Sequence, residues 1–198
     1  MAAEGEFTIP ASKLSPKKQI VFALWIFERM LPRTVAFCTD TGVDFSCCLQ
    51  TRDAAWNYIE TASERRALYR SLSDACLKNA PDTEEFAHEM TSDALDAFIT
   101  TVHIMQFILD GRFDHITSVS TLATDSVDGY LANLEPGIVM TKEIEARIAS
   151  HPLMREELQR QKNDVEFLAA LPDDFDNKTI TALRERSSRQ PSLVPLER

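Results

Sequence analysis

Eight consecutive apolar side chains, Ile20-Val21-Phe22-Ala23-Leu24-Trp25-Ile26-Phe27, stand near the start of this chain. A helix that is apolar all round has no face to give to water and has to lie at the centre of a core. The run is far short of the roughly 20 residues that a bilayer span needs, and Glu28 and Arg29 close it. Ser15-Pro16 puts a capping hydroxyl before a proline at the first helical position, which is a helix start signal. Other elements must therefore wrap around a helix that begins here.

Those elements read as helices too. Five glycines in 198 residues are too few for the tight turns of a sandwich or barrel. No Gly-rich turn follows a β-type run, and G-x-x-x-x-G-K-[ST] is absent, which removes the dinucleotide-binding and P-loop readings. The first helix is expected to run to about Leu31, where Pro32 interrupts it, with a second short helix to Asp40 and Gly42 as its left-handed cap. Helices are then predicted over 44–62, from a cap at Ser63 to Pro81, and from Ser92 to Asp110. The last of these carries the stripe Leu95, Phe98, Ile99, Val102, Met105 and Leu109. Asp82-Thr83-Glu84-Glu85 reads as a capping box for a short element. Residues 114–134 repeat the helical period and stop before Pro136-Gly137; Thr141, Pro152 and Asp174 open three more helices.

The expected fold class is all-α, a single multi-helix, bundle-like domain over residues 15–186. A flexible arm at 1–14 precedes it, and a mobile, polar tail at 187–198 follows. A chain of this length can bury roughly 70% of its unfolded surface in one domain. Glu4 and Glu6 stand where a secretory signal would carry basic residues, so the cytoplasm is the expected compartment. Cys38, Cys47, Cys48 and Cys76 form no C-x-x-C motif, and reduced, buried thiols are expected.

Charge is unevenly laid out. Between Lys78 and Lys142 eleven acidic side chains stand against Arg112 alone, which accounts for the whole net charge of −10. Phosphate repels such a segment, so nucleic acid is not an expected partner, and neither is a membrane. The bland reading is a solvated, solubilising surface. The functional reading is a docking face for a basic protein, with Glu84, Glu85, Glu89, Asp125 and Asp128 as candidate contacts. A metal reading uses Asp93, Asp96 and His103, which share roughly one quadrant of their helix; carboxylates from facing helices suit Mg or Mn. Di-iron bundles use paired E-x-x-H motifs, but here the motif occurs once, at Glu85 and His88. No nucleophile stands out, so no catalytic residue is assigned. Of Glu28 and Arg29, one is expected to be drawn inside against a counter-charge.

Several motifs come in a recognisable order. Gln19-x-x-Phe22-Ala23 leads into Glu28-Arg29-Met30-Leu31-Pro32, Ala36-Phe37 and Thr41-Gly42. Then come Ala94-Leu95-Asp96-Ala97, Ser118-Val119-Ser120 with Ala123-Thr124, and His151-Pro152-Leu153-Met154 with Glu156-Glu157. In this order the chain resembles the YjaG-like family of bacterial proteins, domain-of-unknown-function family 416, over residues 16–186. It departs from that pattern at His88-Glu89-Met90-Thr91-Ser92-Asp93, where a Tyr-Gly-x-Tyr-Pro-like segment is expected, and again in its C-terminal tail. The resemblance implies an all-α fold, a bacterial cytosolic setting and a loose link to signalling. It implies no activity, cofactor or catalytic residue.

Together these readings favour a non-enzymatic protein-interaction or signalling-associated domain with an acidic surface, homodimeric or bound to a basic partner. Alternatives are an all-α, divalent-metal-dependent phosphohydrolase, an acidic immunity-type inhibitor of a basic protein, and a small-molecule pocket lined by Phe22, Trp25 or Trp56.

Overall fold

A computed structural model of the chain describes residues 11–134 and 141–196. Residues 1–10 of the arm expected at 1–14 and the stop at Pro136-Gly137 lie outside the described residues; Leu14, at the arm's end, is buried. After a 3-10 turn at Ala11–Lys13 come α1 (Pro16–Thr41), α2 (Ser46–Thr61), α3 (Arg66–Asn79) and α4 (Thr91–Asp110). They are followed by α5 (Asp114–Asn133), α6 (Lys142–Ala149), α7 (Pro152–Ala169) and α8 (Asn177–Ser187). No strand occurs among the described residues, and the fold is all-α.

The apolar run is the inside of α1: every residue from Lys18 to Phe27 is buried. Around it pack α2, α4, α5, α7 and α8, while α3 leans on α4 and α2. The second central helix is α4; of its predicted stripe Phe98, Val102 and Met105 are buried, whereas Leu95, Ile99 and Leu109 are only half-buried. Asp93, Ala94, Ala97, Thr100, Thr101 and Ile104 are also inside, because α1, α3 and α5 cover it from different sides.

Pro32 does not interrupt the first helix. It lies inside α1, which continues for nine more residues to Thr41 before Gly42 caps it at φ 78°. A proline inside a helix costs about 3 kcal/mol. Burial on both sides of it offsets that cost, with Met30, Phe37 and Cys38 all in the core at roughly 1.5–3 kcal/mol for each large apolar side chain. Three expected caps also differ: Ser15 stands at the N-cap position of α1, but its hydroxyl makes no capping hydrogen bond. Ser63 precedes α3 without capping it, and instead its carbonyl accepts from the Tyr69 hydroxyl at 2.6 Å. Asp82 builds no helix; its carboxylate accepts from Glu84 N–H at 2.8 Å in a local turn. By contrast Thr141 caps α6, accepting from Ile144 N–H at 3.4 Å, and Asp176 caps α8 through Thr179 N–H at 2.7 Å.

The tail from Ser187, expected to be loose, is folded back against α1. Leu193 and Val194 are buried at 4% and 2% exposure, and Leu193 N–H donates to the Arg29 carbonyl at 2.8 Å. Arg33 donates to the Pro195 carbonyl at 2.8 Å. Three apolar residues in a polar segment, Leu193, Val194 and Leu196, carry too weak a periodic signal to announce this, yet burying the first two suffices to seat it on a surface that already exists.

Candidate functional site

Arg29 follows the apolar run in α1, and the helical turn carries it into the core, where its side chain has no exposure. Helix α7 brings it two partners about two turns apart. The guanidinium donates to Glu157 at 3.0 Å and to Asp164 at 2.7 Å, and to the Gln190 side chain at 3.2 Å. Gln161 donates to Glu157 at 2.9 Å, and Arg186 from α8 approaches Asp164 at 3.3 Å. Burial pushes the Glu157 carboxyl up, opposed by the Arg29 charge. The counter-charge expected for this part of α1 is thus supplied from residues 128 and 135 positions away. Glu28 stays half-buried, with Arg52 at 3.7 Å.

One turn along α1, Arg33 donates to Asp93 of α4 at 2.8 Å and lies 5.2 Å from the centre of the Tyr130 ring. Arg29, Met30, Arg33, Asp93, Ser126, Leu193 and Val194 line a cavity of about 10 Å³, room for a single water. No organic ligand fits there. Phe22, Trp25 and Trp56 are likewise core residues, and Trp25 donates its indole N–H to the Leu183 carbonyl at 3.3 Å.

Asp93, Asp96 and His103 share a side of α4 but not a site. Ten residues of helix separate the first from the last, about 15 Å at 1.5 Å per residue, so one ion cannot reach both. Each has its own neighbour instead. Asp93 is paired with Arg33, Asp96 accepts from the Ser126 hydroxyl at 2.7 Å, and His103 Nδ1 lies 3.1 Å from His115 Nδ1. His115 in turn approaches Asp110 at 3.2 Å. Burial and the His115 ring lower the His103 pKa, favouring a neutral imidazole.

The acids of the middle segment divide into groups. Glu84 and Glu85 are exposed in the turn before α4. Glu89, Asp93, Asp96, Asp125 and Asp128 influence one another along α4 and α5, whereas Asp110 and Asp114 pair with His115 and Arg112 at the turn between those helices. Burial raises Asp93, with Glu89 adding to it against Arg33. Burial lifts Asp96 to about 6, and Asp93 and Asp125 push the same way. Asp125 is raised by burial and by Asp128, and Asp128 by burial and by Glu145 of α6. Asp125 and Asp128 themselves are exposed.

Among the described residues, the thiols of Cys47, Cys48 and Cys76 make up the one group of three or more His, Cys, Asp or Glu side chains close enough to share an ion. All three are buried and reduced, as the sequence suggests; their convergence is not readable there, because Cys76 lies on a different helix. The adjacent pair Cys47-Cys48 at a helix start was the available signal.

Two central helices, α1 and α4, whose buried Arg29, Arg33 and Asp93 are paired with acids of α7 or with each other, define an all-α domain with an ion-paired interior. A family model described as "Protein of unknown function (DUF416)" matches residues 9–191, and the chain belongs to that family, as the Glu28–Pro32 motif anticipates. Its fold is similar to that of a DUF416 family protein from Shewanella baltica OS155, whose crystal structure was determined at 1.91 Å. The TM-score is 0.76 at 17% identity, over 88% of this chain and 89% of that one. No curated protein matches the chain. No described helix is long and apolar enough to cross a membrane.

Proposed function

We propose that this chain is a non-enzymatic interaction domain that receives a basic partner on the carboxylates running from Glu89 through Asp96 and Asp125 to Asp128. The observation that carries this reading is the placement of these carboxylates on the neighbouring helices α4 and α5 and the turn before them: Glu89, Asp125 and Asp128 are exposed, and Asp96 is tied to α5 through the Ser126 hydroxyl. Like charges held close in this way repel one another, and a basic surface laid over them removes the repulsion. The distances between Asp93, Asp96 and His103 argue against the alternative of a divalent-metal phosphohydrolase. The cavity beside Arg29 and Arg33, at about 10 Å³, has no room for an organic substrate. An acidic, immunity-type inhibitor of a basic protein is a narrower form of the same reading, and the cytoplasm is the setting in which we place it.

The test is co-purification of the tagged chain at about 50 mM and about 500 mM salt, where screening lengths differ about threefold. The wild type is compared with an Asp125→Asn/Asp128→Asn variant. A partner held at low salt, shed at high salt and lost from the variant at unchanged melting temperature is the expected result. A partner held equally by both chains, or indifferent to salt, defeats the reading.

A further inference from the structure

Cys47 and Cys48 sit in the first turn of α2, and Cys76 sits in the last turn of α3. The two helices pack against each other, so the start of one meets the end of the other, and the three sulfurs come within 4.8 Å of one another. No fourth His, Cys, Asp or Glu among the described residues joins them. The surroundings are dry and polar only at two threonines. Thr51 Oγ1 lies 3.4 Å from the Cys76 sulfur, and Thr101 Oγ1, from α4, lies 3.8 Å from that of Cys48. Both threonines are fully buried.

We propose that Cys47, Cys48 and Cys76 are a three-coordinate binding site for a soft monovalent metal ion, Cu(I). Thiolates select soft ions. Metal–sulfur bonds of about 2.3 Å place the three ligands of a trigonal ion about 4 Å apart, so the sulfurs need to close by less than about 1 Å. Zinc in a structural site takes four ligands, and the group supplies three. On binding, three S–H bonds break, three sulfur–metal bonds form and three protons leave to solvent, with no change of oxidation state. Cys47, slightly exposed at 7%, stands at the side from which an ion enters.

This site is independent of the acidic docking face. The test is an anaerobic titration of the reduced, full-length protein with Cu(I) against a competing colorimetric chelator, following thiolate-to-copper absorption in the ultraviolet. One ion per chain is expected. Cys38→Ser, which removes a buried thiol outside the trio, should leave the affinity unchanged, and Cys47→Ser and Cys76→Ser should each weaken it by about 100-fold or more. Circular dichroism and melting temperature check that each variant is folded; Cys47→Ser, at a helix end, is the safeguard if Cys76→Ser is not. No uptake by the wild type, or uptake indifferent to loss of Cys47, overturns the site. Displacement of bound Cu(I) by equimolar Zn(II) overturns the choice of ion.

Discussion

At the scale of single residues, the interior is decided by Arg29. Its charge is fully removed from water and held by Glu157 and Asp164. Removing one member of a buried pair strands the others, at about 3–5 kcal/mol. Arg29→Met should therefore lower the unfolding free energy in urea by about that much. Adding Glu157→Leu should return part of it, since Asp164 keeps Arg186; equal instability of single and double variants would refute this account. Asp96 makes a prediction in pH. Its folded pKa, about 6, lies above the ordinary aspartate value of 3.8, so the folded state binds the proton more tightly. Its contribution to stability is present at low pH and is lost as pH rises through that window. Asp96→Asn, which can still accept from Ser126, should stabilise the protein by about 1–2 kcal/mol at pH 7. It should also flatten the rise in melting temperature between pH 7 and pH 5.

At the scale of elements, caps and the tail carry the testable costs. Gly111 ends α4 at φ 70° with open space where a Cβ would stand, so Gly111→Ala meets only backbone strain, about 1–2 kcal/mol. Ala62 already bears that strain at the end of α2, at φ 50°, and Ala62→Gly should gain up to about 1 kcal/mol. Thermal denaturation of the two variants should show opposite signs. The tail contributes by burial: ending the chain after Ser188 exposes the sites of Leu193 and Val194 and the Arg33 side chain. A loss of about 2 kcal/mol or more is expected after the entropy of ordering the segment is set against it. An unchanged urea midpoint would mean that the tail only rests on α1.

At the scale of the molecule, α1 meets five other helices, whereas α6 has a single buried residue, Ile148. Opening is therefore graded. Amides of α1 should exchange with deuterium only on global unfolding, and those of α6 by local opening well below it. Exchange followed by mass spectrometry checks the order, and uniform protection would contradict it. At this scale too the negative charge acts as a field, shared across the turn 82–90, α4 and α5.

Local composition determined much of this. The unbroken apolar run dictated a buried helix, scarce glycine left helices as its company, and Ser15-Pro16, Gly42, Gly111 and Thr141 marked ends, because each of these acts through its own backbone within a turn or two. The family motif around Glu28–Pro32 was legible for the same reason: it is contiguous. What only the tertiary structure decided depends on distance through space. Arg29 meets carboxylates more than a hundred residues away, Cys76 joins two cysteines from another helix, and Asp93 turns inward to Arg33. Pro32 is carried through α1 because packing outweighs its local cost. A shared helical quadrant grouped Asp93, Asp96 and His103 on paper, but angle repeats every turn while distance accumulates along the axis.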